Sequence, residues 1–417
     1  MRINRDRYLN QLKAAQGNGL IKIVTGLRRC GKSYLLFNIF HEWLSSEGVD
    51  ERHIIEIALD DLDNKPLRSP EKLLAFVRSS LVDKRMHYVI LDEVQLVDNF
   101  VEVLNSLLHD RNVDVYVTGS NSHFLSSDIA TEFRGRGFVI HLYPLTFSEY
   151  VTVFDGSQEE AWEQYYTYGG LPLVLALPTD KAKSDYLSDL FRTVYLSDVK
   201  ERHGIRNPEE FLELSQVLAS SIGSPVNPLK LSNTFKSEKH SKISSQTISR
   251  YLGYLNDAFI THKALRYDIK GKKYIGTLAK YYFSDIGLRN ALLGFRQQEE
   301  SHIMENLIYN ELLSRGYKVD VGHMVVRATD KNGCSFRKSL EVDFVVNEGS
   351  QRYYIQSALD MPSREKIEQE TRVLVGIPDS FKKIVVVKDR IKLKRDEKGI
   401  TTMSMFDFLT KPDSLSL

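Results

Sequence analysis

The chain has 417 residues, 42% of them hydrophobic and 27% charged, which excludes wholesale disorder. At about 100–200 residues per domain it holds two to four domains. Lysine and arginine number 56 against 55 aspartates and glutamates, so a net charge of +1 singles out no partner, and polyanion binding needs a local patch. Two cysteines, Cys30 and Cys334, are too few for a disulfide framework and fit a reducing, cytoplasmic setting. The polar start MRINRDRYLNQLKAAQ lacks a signal-type apolar core, and no stretch approaches the roughly 20 apolar residues of a membrane span.

The first 145 residues alternate strand-like and helix-like pieces. Leu20–Thr25 is an apolar run ending at Gly26, and Ser33–Leu44 follows with Leu36, Ile39, Phe40, Trp43 and Leu44 at helical spacing. His53–Leu59 predicts a second strand, and Pro70–Val82 a helix with proline at its start. Tyr88–Leu91, Val113–Val117 and Val139–Leu142 are further short apolar runs. Nearly unbroken apolar strands alternating with helices imply a parallel sheet covered on both faces.

Beyond Pro144 the pattern changes. Residues 145–220 read as helical around the turn Tyr168-Gly169-Gly170-Leu171-Pro172. Residues 221–283 hold eleven Lys and Arg against three Asp and Glu, so they carry +8. Within them Ser244-Ser245 caps a helix with apolar positions Ile248, Leu252 and Leu255, and two strand-like pieces flank Gly271. A helix followed by a basic hairpin outlines a winged helix. With Tyr251, Tyr254, Tyr267 and Tyr274 interleaved, the segment suits DNA, or else docking to a protein partner or another copy of the chain. The last third reads as a small mixed α/β domain: helix His302–Ser314, runs Leu340–Val346 and Arg352–Ser357, and strand Lys383–Val387. The tail after Pro412 reads as frayed.

The strongest motif is Gly26-Leu27-Arg28-Arg29-Cys30-Gly31-Lys32-Ser33, which fits G-x-x-x-x-G-K-[ST] without a mismatch between a strand and an amphipathic helix. The glycines let the backbone curl so that N–H groups face an anion, and the helix N-terminus adds its dipole. Lys32 is the charge for the β- and γ-phosphates, Ser33 a Mg²⁺ ligand, and Tyr34 joins the nucleotide-binding set. Arg28 and Arg29 are either extra phosphate contacts or solvated charge. Asp92-Glu93 ends the run Tyr88–Leu91: Asp92 supports the metal, and Glu93 polarises an attacking water. Ser120 and Asn121, after the next strand, are candidates to read the γ-phosphate, and Arg134 or Arg136 a cation near it from this chain or a neighbour. No Asn-Lys-x-Asp motif is present, so ATP is favoured over GTP.

The segments GLRRCGKSYLL, YVILDEVQLV, VYVTGSNSHFLSSDIA, FRGRGFVIHLYPLTFSEY and YGGLPLVL resemble a group of prokaryotic AAA-type ATPases. Those proteins carry a C-terminal domain that resembles a restriction-endonuclease-like fold. The resemblance implies an AAA-like core (1–145), a helical lid (146–220), a winged-helix-like basic domain (221–290) and an endonuclease-like end (291–417). A nuclease of that fold needs an acid on its first helix, an Asp on one strand and (Asp/Glu)-x-Lys on the next. Glu305 and Asp343 suit the first two positions, but the third reads Gln356-Ser357-Ala358, so the end is expected to be degenerate. The expectation is a Mg²⁺-dependent ATPase. The alternatives are a nucleotide-gated DNA-binding switch with negligible turnover, or an active metal-dependent nuclease.

Overall fold

A computed structural model describes residues 2–119, 133, 135–239, 241–296, 299–329 and 335–417. Five strands, β1 (Ile21–Gly26), β2 (Ile54–Ala58), β3 (His87–Asp92), β4 (Val113–Thr118) and β5 (Gly137–Leu142), form one parallel sheet in the order β2-β3-β4-β1-β5. Every residue of β1, β3 and β4 is buried, which is why their sequences run apolar instead of alternating. Ile21, Ile23, Val89, Leu91, Val115 and Val117 pack on helices Pro70–Ser79 and Phe100–Leu107. Val24, Ile90 and Tyr116 face the opposite way, toward helix Asp6–Ala15 and the helix that starts at Lys32. That second helix runs from Lys32–Tyr34 through a π turn, Leu35–Phe40, into His41–Ser46. Because the strands are parallel, Gly26, Asp92 and Thr118 all end at one edge, where open α/β sheets bind ligands.

The expected helical stretch follows. Helices Phe147–Val151 and Gln158–Tyr168 each begin with a capping box, Thr146 with Glu149 and Ser157 with Glu160. Asp180–Leu190 continues through a π segment, Phe191–Tyr195, into Leu196–His203, which stops at left-handed Gly204. Helices Pro208–Ser220, Pro228–Lys239 and Ser245–Asp257 come next, the last capped by Ser244 as expected. The hairpin is β6 (Thr261–Asp268) with β7 (Lys273–Phe283), and Val226 bridges to Ala279 on β7.

A second, mixed sheet of eight strands contains that hairpin. Its other strands are β8 (Lys318–Thr329), β9 (Ser335–Glu348), β10 (Gln351–Ala358), β11 (Lys382–Val387), β12 (Lys394–Arg395) and β13 (Ile400–Ser404). They are ordered β12-β13-β11-β10-β9-β8-β6-β7. The sheet crosses position 290, since Arg266–Asp268 of β6 pairs in parallel with Val321–His323 of β8. Residues Ile303, Met304, Leu307 and Ile308 of helix Glu300–Ser314 share a core with Val319, Val321 and Phe344. Val373 and Leu374 of helix Arg364–Val375 pack with Met324, Val342 and Tyr354 on the other face. The tail corrects one expectation. Leu415 and Ser414 are buried, and Arg315 donates to the Ser414 hydroxyl at 2.7 Å. Burial of the apolar Leu415 side chain holds the end of the chain down. Among the described residues no helix is long and apolar enough to cross a membrane.

Candidate nucleotide site

The loop between β1 and its helix owes its shape to two glycines. Gly26 has φ 139°, and a Cβ there would lie 2.1 Å from the Leu142 carbonyl oxygen; Gly31 has φ 98°. Arg29 also takes a left-handed conformation, φ 64°. Lys32 is buried and folds back over the loop, its ammonium donating to the Gly26 carbonyl at 3.1 Å and the Leu27 carbonyl at 3.2 Å. The Cys30 thiol donates to the Leu142 carbonyl at 3.4 Å, and burial pushes its pKa up, so it stays a thiol that seals the loop against β5.

At the end of β3, Asp92 accepts hydrogen bonds from the Ser33 and Thr118 hydroxyls. Burial raises the Asp92 pKa, those two hydroxyls oppose the rise, and Glu93 and Asp60 add to it. Thr118 also accepts from the Glu93 backbone N–H at 3.2 Å. Glu93 has φ 53°, a costly conformation for a non-glycine, and its carboxylate accepts from the Gln95 side chain. Lys32, Ser33, Asp92, Glu93 and Gln95 line a cavity of about 590 Å³ together with Arg28, Arg29, Gly31, Tyr34 and Asp60. A second cavity of about 420 Å³ lies on the other side of the loop and shares Arg29, Gly31 and Tyr34 with the first. Its remaining wall is mostly apolar: Ile3, Leu145, Pro172, Leu173 and Ala176.

The helical segment touches this loop. Arg28 pairs with Asp198 at 3.0 Å, and the Tyr195 hydroxyl donates to the Arg28 carbonyl at 2.8 Å. Burial raises the Asp198 pKa; Arg28 opposes this, and Glu201 and Glu93 reinforce it. Asp198, Tyr195, Thr118 and Asp60 are the members that reading the sequence missed. Only Thr118 left a signal, as a hydroxyl at the final position of a strand one place from Asp92 in the sheet.

Arg136 stands elsewhere. Its carbonyl accepts from the Ile21 N–H at 2.9 Å and its guanidinium donates to Asn105 at 3.0 Å. That is the amino end of β1, about 17 Å of extended strand from Gly26. Within one chain Arg136 therefore does not serve the phosphates; a residue just ahead of a parallel strand lies at the edge opposite the ligands. Arg134, Ser120 and Asn121 lie outside the described residues.

Two further clusters bring potential metal ligands together. His53, Asp83 and His87 converge, but His87 Nε2 accepts from the Val82 N–H at 3.1 Å, and Nδ1 meets the Arg85 carbonyl at 2.8 Å. Both ring nitrogens are spent on backbone, which leaves that imidazole no lone pair for a cation. Against the C-terminal sheet Glu305, Glu341 and Asp343 gather around Lys280, a β7 residue and one of the eleven cations of the basic segment. Lys280 pairs with Glu305 at 2.9 Å and Glu341 at 2.8 Å, and the Tyr282 hydroxyl donates to Glu305 at 2.6 Å. Burial lowers the Lys280 pKa, but Glu305, Asp343 and Glu341 outweigh it and hold the ammonium charged. Burial and Glu305 raise Asp343, against Lys280, and its carboxylate accepts from the Ser357 N–H at 2.8 Å. Removing the one cation strands three acids, so Lys280→Met is expected to cost about 3–5 kcal/mol. A thermal melt reads this as a lower midpoint; an unchanged midpoint would show that the acids need no counter-ion.

An AAA domain model matches residues 18–151, and a model described as a domain of unknown function matches residues 159–299. An uncharacterized protein of Haemophilus influenzae is 32% identical over 390 residues, covering 92% of this chain and 93% of its own. An uncharacterized protein of Methanocaldococcus jannaschii is 28% identical over 362 residues, covering 83% and 76% respectively. Among solved structures, that of the Aeropyrum pernix ORC1 protein in complex with DNA covers 70% of this chain and 92% of its own. Its identity of 12% and TM-score of 0.30 are too low to carry an argument. The near full-length match shows that this chain belongs to the same family as the Haemophilus influenzae protein, and within it residues 18–151 form an AAA domain.

Proposed function

We propose that the protein binds ATP with Mg²⁺ and hydrolyses it. The observation that carries this reading is the meeting of Lys32, Ser33, Asp92 and Glu93 at one strand edge, in a cavity of about 590 Å³. The donor set suits the ligand. The Lys32 ammonium is spent on two loop carbonyls that a phosphate oxygen outcompetes as an acceptor. Ser33 would ligate the metal directly and Asp92 would hold its bound water, Thr118 keeping that carboxylate in place. Bound Mg²⁺ supplies Lewis-acid neutralisation of the β- and γ-phosphate oxygens. Glu93 orients a water and takes its proton. Its backbone is fixed by the Thr118 hydroxyl and its carboxylate by Gln95. The apolar cavity beside Tyr34 and Pro172 suits a purine base.

Hydrolysis would act on the rest of the chain through Arg28. A phosphate drawing Arg28 away from Asp198 frees helix Leu196–His203 from the loop, so occupancy moves the helical segment relative to the sheet. The bridge from Val226 to Ala279, beside helices Pro228–Lys239 and Ser245–Asp257 and the hairpin, supports reading 221–290 as a winged-helix-like domain, with DNA as its partner. The order helix, β8, β9, β10, helix, β11, with Glu305 and Asp343 brought together, supports an endonuclease-like end. Lys280 fills the centre of its acids and β10 carries Ala358 in place of a lysine, which favours a structural role over cleavage. Single-turnover phosphate release separates an ATPase from a nucleotide-gated switch. Release of one equivalent per chain with Mg²⁺, abolished by a chelator, is the expected result; retention of bound ATP through the assay would favour the switch.

A further inference from the structure

Strands β8 and β9 outrun their neighbours. They stay paired from Lys318 opposite Asn347 to Thr329 opposite Ser335. β6 reaches β8 only over Val321–His323, and β10 reaches β9 only over Phe344–Glu348. From Met324 to Thr329 and from Ser335 to Leu340 the pair thus runs on as a two-stranded ribbon beyond its ladder neighbours, rooted by Met324, Val326 and Leu340 in the core under helix Arg364–Val375. Arg327 lies directly opposite Arg337 there, and both are exposed. Opposed like charges on a strand pair are destabilising, an arrangement that makes sense when an anion comes between them.

The pairing register carries this cationic face onto the hairpin. Paired residues share a face, so Arg266, opposite Val321, lies on the same side as Val325 and Arg327. Lys273, opposite Asp268, joins them, and the turn holds exposed Lys270 and Lys272. Lys270 spans the two parts, its ammonium donating to the Val325 carbonyl at 3.4 Å. The nearby acids are occupied. Asp268 accepts from the Lys270 and Gly271 N–H groups at 3.1 and 2.9 Å, and Glu341 pairs with Lys280. Among the described residues none of Arg266, Lys273, Arg327 and Arg337 has an acidic partner, and Arg266 Nε is buried without a hydrogen bond. Across the four strands these cations span about 14 Å, and along β8 the level of Arg266 lies about 20 Å from Arg327. Tyr267 and Tyr274 of the hairpin point to the opposite face, where Tyr274 donates to Asp320 at 3.1 Å and Arg352 covers Tyr267, while Tyr281 and Tyr282 are buried. Among the described residues this face therefore shows no base-stacking platform of the kind single strands require.

We propose that Arg266, Lys273, Arg327 and Arg337 form a docking face for the phosphate backbone of duplex DNA, with the ribbon as the arm that reaches along it. This names the surface for the DNA partner of the reading above and depends on no step of hydrolysis. Half of it lies outside the 221–283 segment. Within that segment the helix Ser245–Asp257 exposes Arg250 as its only cation, while Lys280 is consumed internally.

The test is titration of a 30-base-pair duplex into the full chain without nucleotide, from 50 to 200 mM KCl, beside the matching single strand and polyglutamate. The expected result is salt-dependent binding to the duplex, with Arg327→Glu/Arg337→Glu losing about tenfold or more in affinity. Its log–log salt slope should flatten by about 0.9 for each phosphate contact removed. Lys242→Glu/Arg250→Glu should bind as the parent chain does. If the reversal lowers the melting midpoint, Arg327→Gln/Arg337→Gln is read in its place. Undiminished binding by the ribbon variant, no duplex binding at 50 mM KCl, or equal affinity for the single strand or polyglutamate would overturn the proposal. ATP binding by the same variants, expected to be unchanged, keeps this outcome separate from that of the nucleotide site.

Discussion

Lys32→Ala should abolish ATP binding and leave the protein folded. The Lys32 ammonium is the buried cation of the loop, and its bonds to the Gly26 and Leu27 carbonyls place it over the curl where phosphates would lie. A charged hydrogen bond contributes about 1.5–3 kcal/mol. Losing two such bonds to phosphate oxygens weakens binding by about 10²–10⁴. The fold survives because the loop's own shape comes from Gly26, Gly31 and the Cys30 contact to Leu142, and the Lys32 side chain spans no two elements of the core. Isothermal titration with MgATP should show no heat from a variant whose melt matches the parent chain. A parent-like isotherm would remove Lys32 from the site.

Glu93→Gln should separate binding from chemistry. The amide keeps the size of the side chain and its backbone bond to Thr118, but it cannot take a proton from water. General-base catalysis is worth about 10²–10⁴-fold, so phosphate release should fall by that factor while ATP affinity stays within about threefold. The alternative base is Asp92, yet its carboxylate is held by the Ser33 and Thr118 hydroxyls, and burial raises its pKa. Turnover undiminished in the glutamine variant would shift the base to another acid at this edge, with Asp60 and Asp198 next in line.

The first sheet was legible in the sequence because strands buried on both faces write themselves as apolar runs. Leu20–Thr25, Tyr88–Leu91 and Val113–Val117 each fall within a residue or two of β1, β3 and β4. The loop was legible for a different reason: Gly26 and Gly31 occupy conformations that side chains resist, so their spacing is visible without any partner. What was illegible depends on contacts between distant segments. Asp198 lies 170 positions from Arg28 and has no local mark of its role. Lys280 reads as one more basic residue until the fold surrounds it with Glu305, Glu341 and Asp343. Arg136 could have been placed from the sequence alone, since it precedes a parallel strand and the nucleotide edge is where such strands end. Thr118 closes β4 just ahead of the candidates Ser120 and Asn121, and its hydroxyl meets Asp92 across the sheet.

Nucleotide binding by this protein depends on the curl between β1 and its helix gripping a triphosphate. The most direct measurement is calorimetric titration of MgATP into the full chain, with inorganic tripolyphosphate and GTP as competitors. One site per chain, blocked by tripolyphosphate and weaker for GTP, is the predicted result; an isotherm without heat at millimolar nucleotide would contradict it.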